Sequence, residues 1–119
     1  MRKYQDLLIW NKAIEITKSV YKITELLPDQ EKYGIISQVR RAAISICSNI
    51  AEGCSRSSRL EFKRFLEIAL GSAFELECKF IIIKELDLVS LNDLEQIFIS
   101  ITEEQKMINS YIQKLKAKS

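Results

Sequence analysis

The sequence predicts an all-α protein, an antiparallel up-down-up-down four-helix bundle forming a single domain over residues 1–119. Three observations predict it. Glycine occurs three times and proline once, too rarely for the many turns of a β architecture. Apolar residues recur at i, i+3, i+4 and i+7 through four separate stretches, the spacing of one helix face. The connections between those stretches are short, and short connections make neighbouring helices antiparallel. With 47% apolar and 29% charged residues, a chain of this size buries a core without staples.

The first helix is expected from about Leu7 to Leu27, with Asp6 as N-cap. Its core face reads Trp10, Ala13, Ile14, Thr17, Val20, Tyr21, Thr24 and Leu27, and Pro28 ends it because the residue before a proline is pushed out of the helical region. After the polar turn Asp29 to Lys32, a second helix carries Ile35/Ile36, Val39, Ala43, Ile46/Cys47, Ile50 and Cys54, fading at Gly53. Ser58 followed by Glu61 is a capping box that starts the third helix. Its stripe is Phe62, Phe65, Leu66, Ala69, Ala73, Leu76, Phe80 and Ile83. Gly71 beside Ser72 costs about 1 kcal/mol relative to alanine, which suggests a close helix approach there. Ser90 with Asp93 caps the fourth helix, whose seam is Leu94, Phe98, Ile101, Gln105, Ile108, Ile112 and Leu115; the tail Lys116 to Ser119 is expected to fray.

Two apolar lines fall outside those faces: Ile9, Ile16 and Ile23 on the first helix, and Leu70, Phe74 and Ile81 on the third. They are read either as a wide core stripe or as partner surfaces, the simplest partner being a second copy of the chain.

The chain has no histidine. That removes Ser-His and Cys-His nucleophile pairs and the Glu-x-x-His ligands of di-iron bundles. Glu75 and Glu77 point about 200° apart on a helix and cannot form a carboxylate pair, and no phosphate-cradling glycine loop exists. Neither a catalytic site nor a cofactor is expected. Cys47, Cys54 and Cys78 form no C-x-x-C pair and read as buried reduced thiols, without a metal site. No apolar run nears the roughly 18 residues that cross a bilayer, and Met1 to Asp6 begin no signal peptide, so the expected place is the cytoplasm, without membrane contact.

The formal charge is only +2, but it is uneven. Between residues 40 and 64 stand Arg40, Arg41, Arg56, Arg59, Lys63 and Arg64 against Glu52 and Glu61, six bases less two acids. Arginine offers planar, bidentate donors to phosphate, so Arg40, Arg56, Arg59, Lys63 and Arg64 are candidate nucleic-acid contacts. The competing interpretation is a solvated helix face. Arg41, Asn49 and Glu52 are the candidates for a structural polar network between helices. No aromatic residue interrupts the basic string, which leaves single-strand stacking unsupported.

The run Gln38-Val39-Arg40-Arg41-Ala42-Ala43-Ile44-Ser45-Ile46-Cys47-Ser48-Asn49-Ile50-Ala51-Glu52-Gly53 resembles the hallmark of the 23S ribosomal RNA intervening-sequence proteins, a bacterial family of four-helix bundles. The resemblance continues through Glu61-Phe62, Phe65-Leu66, Ala69-Leu70-Gly71-Ser72 and Glu75-Leu76-Glu77, and takes in Trp10, Ala13, Tyr21 and Leu27-Pro28. Similar bundles are accessory proteins of diversity-generating retroelements, basic homopentamers that engage a reverse transcriptase and RNA. The resemblance therefore implies a homo-oligomer, a pentamer in its specific form, with an RNA-linked role and no catalytic residue; the family's name by itself does not imply ribosome binding. Relatives commonly place proline where this chain has Cys47, so a straighter second helix is expected. The rival function is a protein-interaction scaffold that touches no nucleic acid.

Overall fold

In a computed structural model that describes residues 2–117, the chain forms four helices: α1 (Leu8–Thr24), α2 (Ser37–Cys54), α3 (Arg59–Glu85) and α4 (Leu91–Ala117). Thr24 and Thr17 of α1 bond to Arg40 and Ala43 of α2. Ser45 of α2 bonds to Ser72 of α3, while Gly53 lies against Phe62. Phe62 and Phe80 of α3 stack edge-on against Tyr111 and Phe98 of α4. In each sequential pair the numbers fall on one helix as they rise on the next, so neighbours are antiparallel. Lys12 and Glu103 join α1 to α4 and close the ring of four.

The capping residues explain where α3 and α4 begin. Ser58 Oγ accepts from the Glu61 N–H at 3.1 Å, and Ser90 Oγ accepts from the Asp93 N–H at 3.4 Å. Each satisfies one of the first-turn donors that a helix leaves unpaired. The exit of α3 is equally well determined. Asp87 takes the left-handed conformation (φ 53°), and the N–H groups of Asp87 and Leu88 bond to the carbonyls of Lys84 and Ile83. That is a Schellman closure, with Leu88 brought back over the last turn of the helix.

Asp6 does not cap α1. It ends a short turn, Tyr4–Asp6, and the N-cap position is Leu7, which offers no side-chain acceptor. Asn11 ties the entry instead, its Nδ2 donating to the carbonyls of Gln5 and Leu7, both at 2.9 Å. The helical pattern also stops earlier than Pro28 requires: α1 ends at Thr24, and Leu26 and Leu27 close a tighter turn onto Ile23 and Thr24. α2 is unbroken through Cys47. α4 continues through Lys116 and Ala117, and Lys118 and Ser119 lie outside the described residues.

Ile9, Ile16 and Ile23 are not a partner surface: they are buried, 3%, 1% and 9% exposed, and with Ala13 and Val20 they are the core face of α1. The helix is turned slightly from the expected face. A helix flanked by two neighbours buries a wide stripe. Ile9, Ile16 and Ile23 go inward, while Trp10, Ile14 and Thr17 are half-buried at the rim and Tyr21 is exposed. Rim positions keep the polar atom of an amphipathic side chain within reach of a partner, as the Thr17 hydroxyl shows by donating to the Ala13 carbonyl at 2.8 Å. On α3, Leu70 is half-buried, whereas Phe74 and Ile81 are exposed. Gly71 is not a point of close approach, since a Cβ there would meet nothing within 4 Å. The close approach is at Gly53, where a Cβ would lie 2.9 Å from Phe65 Cβ and 3.0 Å from Phe62 Cδ1.

On α4 the buried seam is Leu94, Ile97, Ile101, Glu104, Gln105, Ile108, Ile112 and Leu115, so Ile97 takes the place expected of Phe98, which is only half-buried. Glu104 is the anomaly. It is 0% exposed, and among the described residues neither carboxylate oxygen has a hydrogen-bond partner. Burial pushes its carboxyl up to about 8, with Lys12 pulling the other way. Lys12 itself donates to Glu103 at 2.6 Å, at the edge of the core.

Candidate nucleic-acid interface

The basic string between residues 40 and 64 does not form one patch. Arg40 and Arg41 sit near the start of α2, and Arg56 follows its end. Fifteen residues separate Arg41 from Arg56, and at 1.5 Å per residue that is about 22 Å along the helix axis. The cations divide between the two ends of the bundle.

At the α2–α3 end, the connection Ser55 to Ser58 carries Arg56, and the first turns of α3 carry Arg59, Lys63 and Arg64. The Arg56 guanidinium lies 5.0 Å over the Phe65 ring and donates to Glu52 at 3.1 Å. Glu52 and Arg56 are i, i+4 neighbours on a solvated surface, and such a pair adds little to stability. Lys63 pairs with Glu67 at 3.6 Å. Arg59 and Arg64 are exposed and have no protein partner among the described residues.

The fold adds a cation that the linear string does not contain. The N-terminal turn brings Arg2 across to this end, its guanidinium 4.4 Å over the buried Phe62 ring. Arg2, Ser55, Arg56 and Ser57 line an open cleft of about 570 Å³. Arg2 and Lys3 also line the adjoining cleft beside Tyr4 and Cys54. Fifty-four residues separate Arg2 from Arg56 in the sequence, and only the antiparallel closure of α1 on α2 makes them neighbours. Periodicity on a single helix carries no trace of such a pairing.

Arg40 is held differently. Its Nε donates to Thr24 Oγ1 at 2.9 Å and its guanidinium stacks 4.3 Å from the Tyr21 ring centroid. Such contacts fix the plane of the group and draw it toward α1, away from the residues at the α2–α3 end.

Arg41, Asn49 and Glu52 do not form a network. Arg41 is exposed without a partner among the described residues, Glu52 belongs to Arg56, and Asn49 donates to the Ser45 carbonyl and hydroxyl at 2.8 and 3.0 Å. The three residues share one side of α2, yet eleven residues of helix are about 16 Å, too far for side chains to close. The polar link between α2 and α3 is Ser45 to Ser72, 2.8 Å between hydroxyls, with Asn49 buttressing Ser45. Hydroxyls fit here because both helices present small side chains at their contact.

Burial raises the Cys54 thiol, and it raises that of Cys47, whose Sγ donates to the Ile44 carbonyl. Cys78 departs from the expectation of burial and is exposed on α3. Among the described residues no group of three or more metal-ligating side chains converges, and no helix is long and apolar enough to cross a membrane.

The geometry has relatives. A family model described as 23S rRNA-intervening sequence protein matches residues 5–110. A crystal structure of a protein with unknown function from the S23 ribosomal protein family of Bacteroides thetaiotaomicron is similar with a TM-score of 0.82 at 26% identity, over 88% of this chain and 98% of that one. No curated protein matches the chain.

Proposed function

This chain belongs to the 23S rRNA-intervening sequence protein family, and on that premise we propose that it is a non-catalytic RNA-associated protein whose α2–α3 end grips a phosphate backbone. The observation that carries this reading is the cleft where Arg2 and Arg56, held over Phe62 and Phe65, stand beside Ser55 and Ser57. Arginine planes braced on aromatic rings are pre-organised donors, and the neighbouring hydroxyls extend the donor set a phosphate can use. Arg59 and Arg64, exposed on the first turns of α3, add positive charge at the same end of the bundle. The charge is modest, so affinity is expected to be modest and strongly salt-dependent.

Phosphate binding releases counterions, so the logarithm of affinity for single-stranded RNA falls linearly with the logarithm of salt, by about 0.7 per phosphate neutralised. Changing Arg56 and Arg59 together to alanine is expected to weaken binding to unrelated RNA sequences alike and to reduce that slope by about 1.4. The melting temperature should hardly move, because exposed charges contribute little to folding. Anisotropy titrations at several salt concentrations measure it. Absence of salt-sensitive RNA binding by the wild type at low ionic strength removes this reading.

We also propose self-association, with a pentamer as the form the family resemblance implies. Phe74 and Ile81, 52% and 46% exposed and seven residues apart on α3, support a docking face; the same pair favours the scaffold reading if RNA binding is absent. Light scattering at micromolar protein is expected to give a mass well above 13.8 kDa. A monomer there defeats the oligomer.

A further inference from the structure

The segment between α1 and α2 builds a second feature, at the opposite end of α2. After Pro28 a short turn, Asp29–Glu31, leads into a wide helical turn over Lys32–Ile36 that kinks at Gly34. The kink leaves Tyr33 outside the bundle, 90% exposed. Ring and cation then meet: the Lys32 ammonium lies 5.7 Å from the Tyr33 ring centroid. Tyr33, Lys32 and Ser37 share one cleft of about 430 Å³ with Tyr21, Arg40 and Arg41.

Its chemistry is one-sided. Three of the lining residues are cations, two are tyrosines, one is a serine, and none is acidic. Arg40 is pre-set by Thr24 and Tyr21, and its terminal nitrogens have no hydrogen-bond partner among the described residues. Arg41 and the Ser37 hydroxyl have none either. The volume is in the range that holds one small ligand, about 300–1,000 Å³. A carboxylate-bearing peptide would use the cations and waste the open tyrosine face. A nucleotide uses both, because a base stacks on an aromatic ring while its phosphate takes the charges. The fold thus supplies the aromatic residues that the basic string lacks in sequence.

We propose that this cleft holds one unstacked nucleotide of a single-stranded RNA, with the base on Tyr33 and the phosphate between Lys32 and Arg41. It rests on the RNA reading above and deepens it from backbone gripping to single-strand preference. The two clefts are about 22 Å apart along α2, so at roughly 3.4 Å per stacked nucleotide a strand of about seven nucleotides spans them.

The test uses the full chain with a labelled 12-nucleotide RNA, once single-stranded and once as a duplex, at fixed salt. Tyr33→Ala is expected to weaken single-strand binding about tenfold, within the 1–3 kcal/mol that stacking of one base contributes. It should leave duplex affinity and the salt slope unchanged, since a ring carries no charge. Tyr33→Phe should bind like the wild type, and Arg41→Ala should lower the single-strand slope by about 0.7. Tyr33 is exposed, so these proteins should fold, which circular dichroism checks. If the wild type binds RNA with salt sensitivity but Tyr33→Ala matches it, the nucleotide cleft is overturned and the Arg56 reading stands. Equal losses on single strand and duplex also overturn it, by showing that Tyr33 does not read an unstacked base. If free AMP displaces the strand at concentrations comparable to the strand's own, the ligand is a mononucleotide and the strand proposal fails. No salt-sensitive binding by the wild type sinks both readings together.

Discussion

Replacing Glu104 with leucine is expected to stabilise the protein by about 1–4 kcal/mol at pH 8.5, the range seen when buried charged groups give way to apolar side chains of similar volume. The carboxyl is fully enclosed by the core and has no hydrogen-bond partner among the described residues. Its ionised form is therefore strongly disfavoured in the folded protein, and the carboxyl titrates at about 8 instead of 4.5. The folded state keeps a proton that the unfolded chain gives up above pH 4.5, so this group's contribution to stability is fully present below that value. It is lost as pH rises and is gone once pH passes about 8. At roughly 1.4 kcal/mol per pH unit, the wild type should lose about 4 kcal/mol between pH 5 and pH 8.5 through Glu104. Lys12 is the one charge that opposes the shift, and it is already engaged by Glu103. Glu104→Gln keeps the shape and removes the titration. Urea unfolding of the three proteins at the two pH values measures the difference. If the wild type and Glu104→Gln show the same pH dependence, the carboxyl is ionised in the fold and this account is wrong.

Gly53→Ala and Gly71→Ala should change stability in opposite directions although both glycines sit inside helices. Alanine is the better helix former by about 1 kcal/mol, and at Gly71 nothing opposes that gain. At Gly53 the new methyl group would meet Phe65 Cβ at 2.9 Å and Phe62 Cδ1 at 3.0 Å. Phe65 Cβ is anchored to the α3 backbone and cannot swing aside, and Phe62 is held between α2 and Tyr111. Overpacking of that kind costs about 1–3 kcal/mol. The expected results are a gain of about 1 kcal/mol for Gly71→Ala and a net loss of up to about 2 kcal/mol for Gly53→Ala. A stabilised Gly53→Ala would mean that α2 and α3 can separate at this point without cost.

Local signals in the sequence are the ones the structure repeats most faithfully. Ser58 with Glu61 and Ser90 with Asp93 announce helix starts, because a cap is decided within four residues. The stripes of α2 and α3 likewise locate most of the core. The face of α1 lies one step of rotation from the one its periodicity predicts, since Ile9, Ile16 and Ile23 satisfy the helical spacing as well as Trp10 and Ile14 do. Only packing between α2 and α4 chooses between them. Glu104 had a visible signal. It stands three residues after Ile101 and four before Ile108, the bundle-seam spacing, but a carboxylate at that place reads as surface. The candidate interface is the least legible part. Arg40 and Arg56 look adjacent in a list of bases yet lie at opposite ends of a helix. Arg2 joins its cleft across more than fifty residues, a contact that no window of sequence contains, whereas Tyr33 stands only seven residues before Arg40 but outside the basic string.

The N-terminal turn has a consequence for how fast the α2–α3 end can change. None of its residues is buried, and it is held by two turn hydrogen bonds, the Asn11 tie, the packing of Tyr4 against Trp10 at 5.1 Å and the Arg2 guanidinium over Phe62. Releasing so little apolar surface requires only a fraction of the free energy of global unfolding. Arg2 is therefore expected to belong to a segment that opens more readily than the helices, whereas Arg56 sits in the short connection pinned between α2 and α3. On the RNA reading proposed above, the escape of a strand from the cleft is expected to be coupled to the fraying of residues 2–7. Because Trp10 is the only tryptophan and sits under that segment, its emission is a built-in clock for the opening.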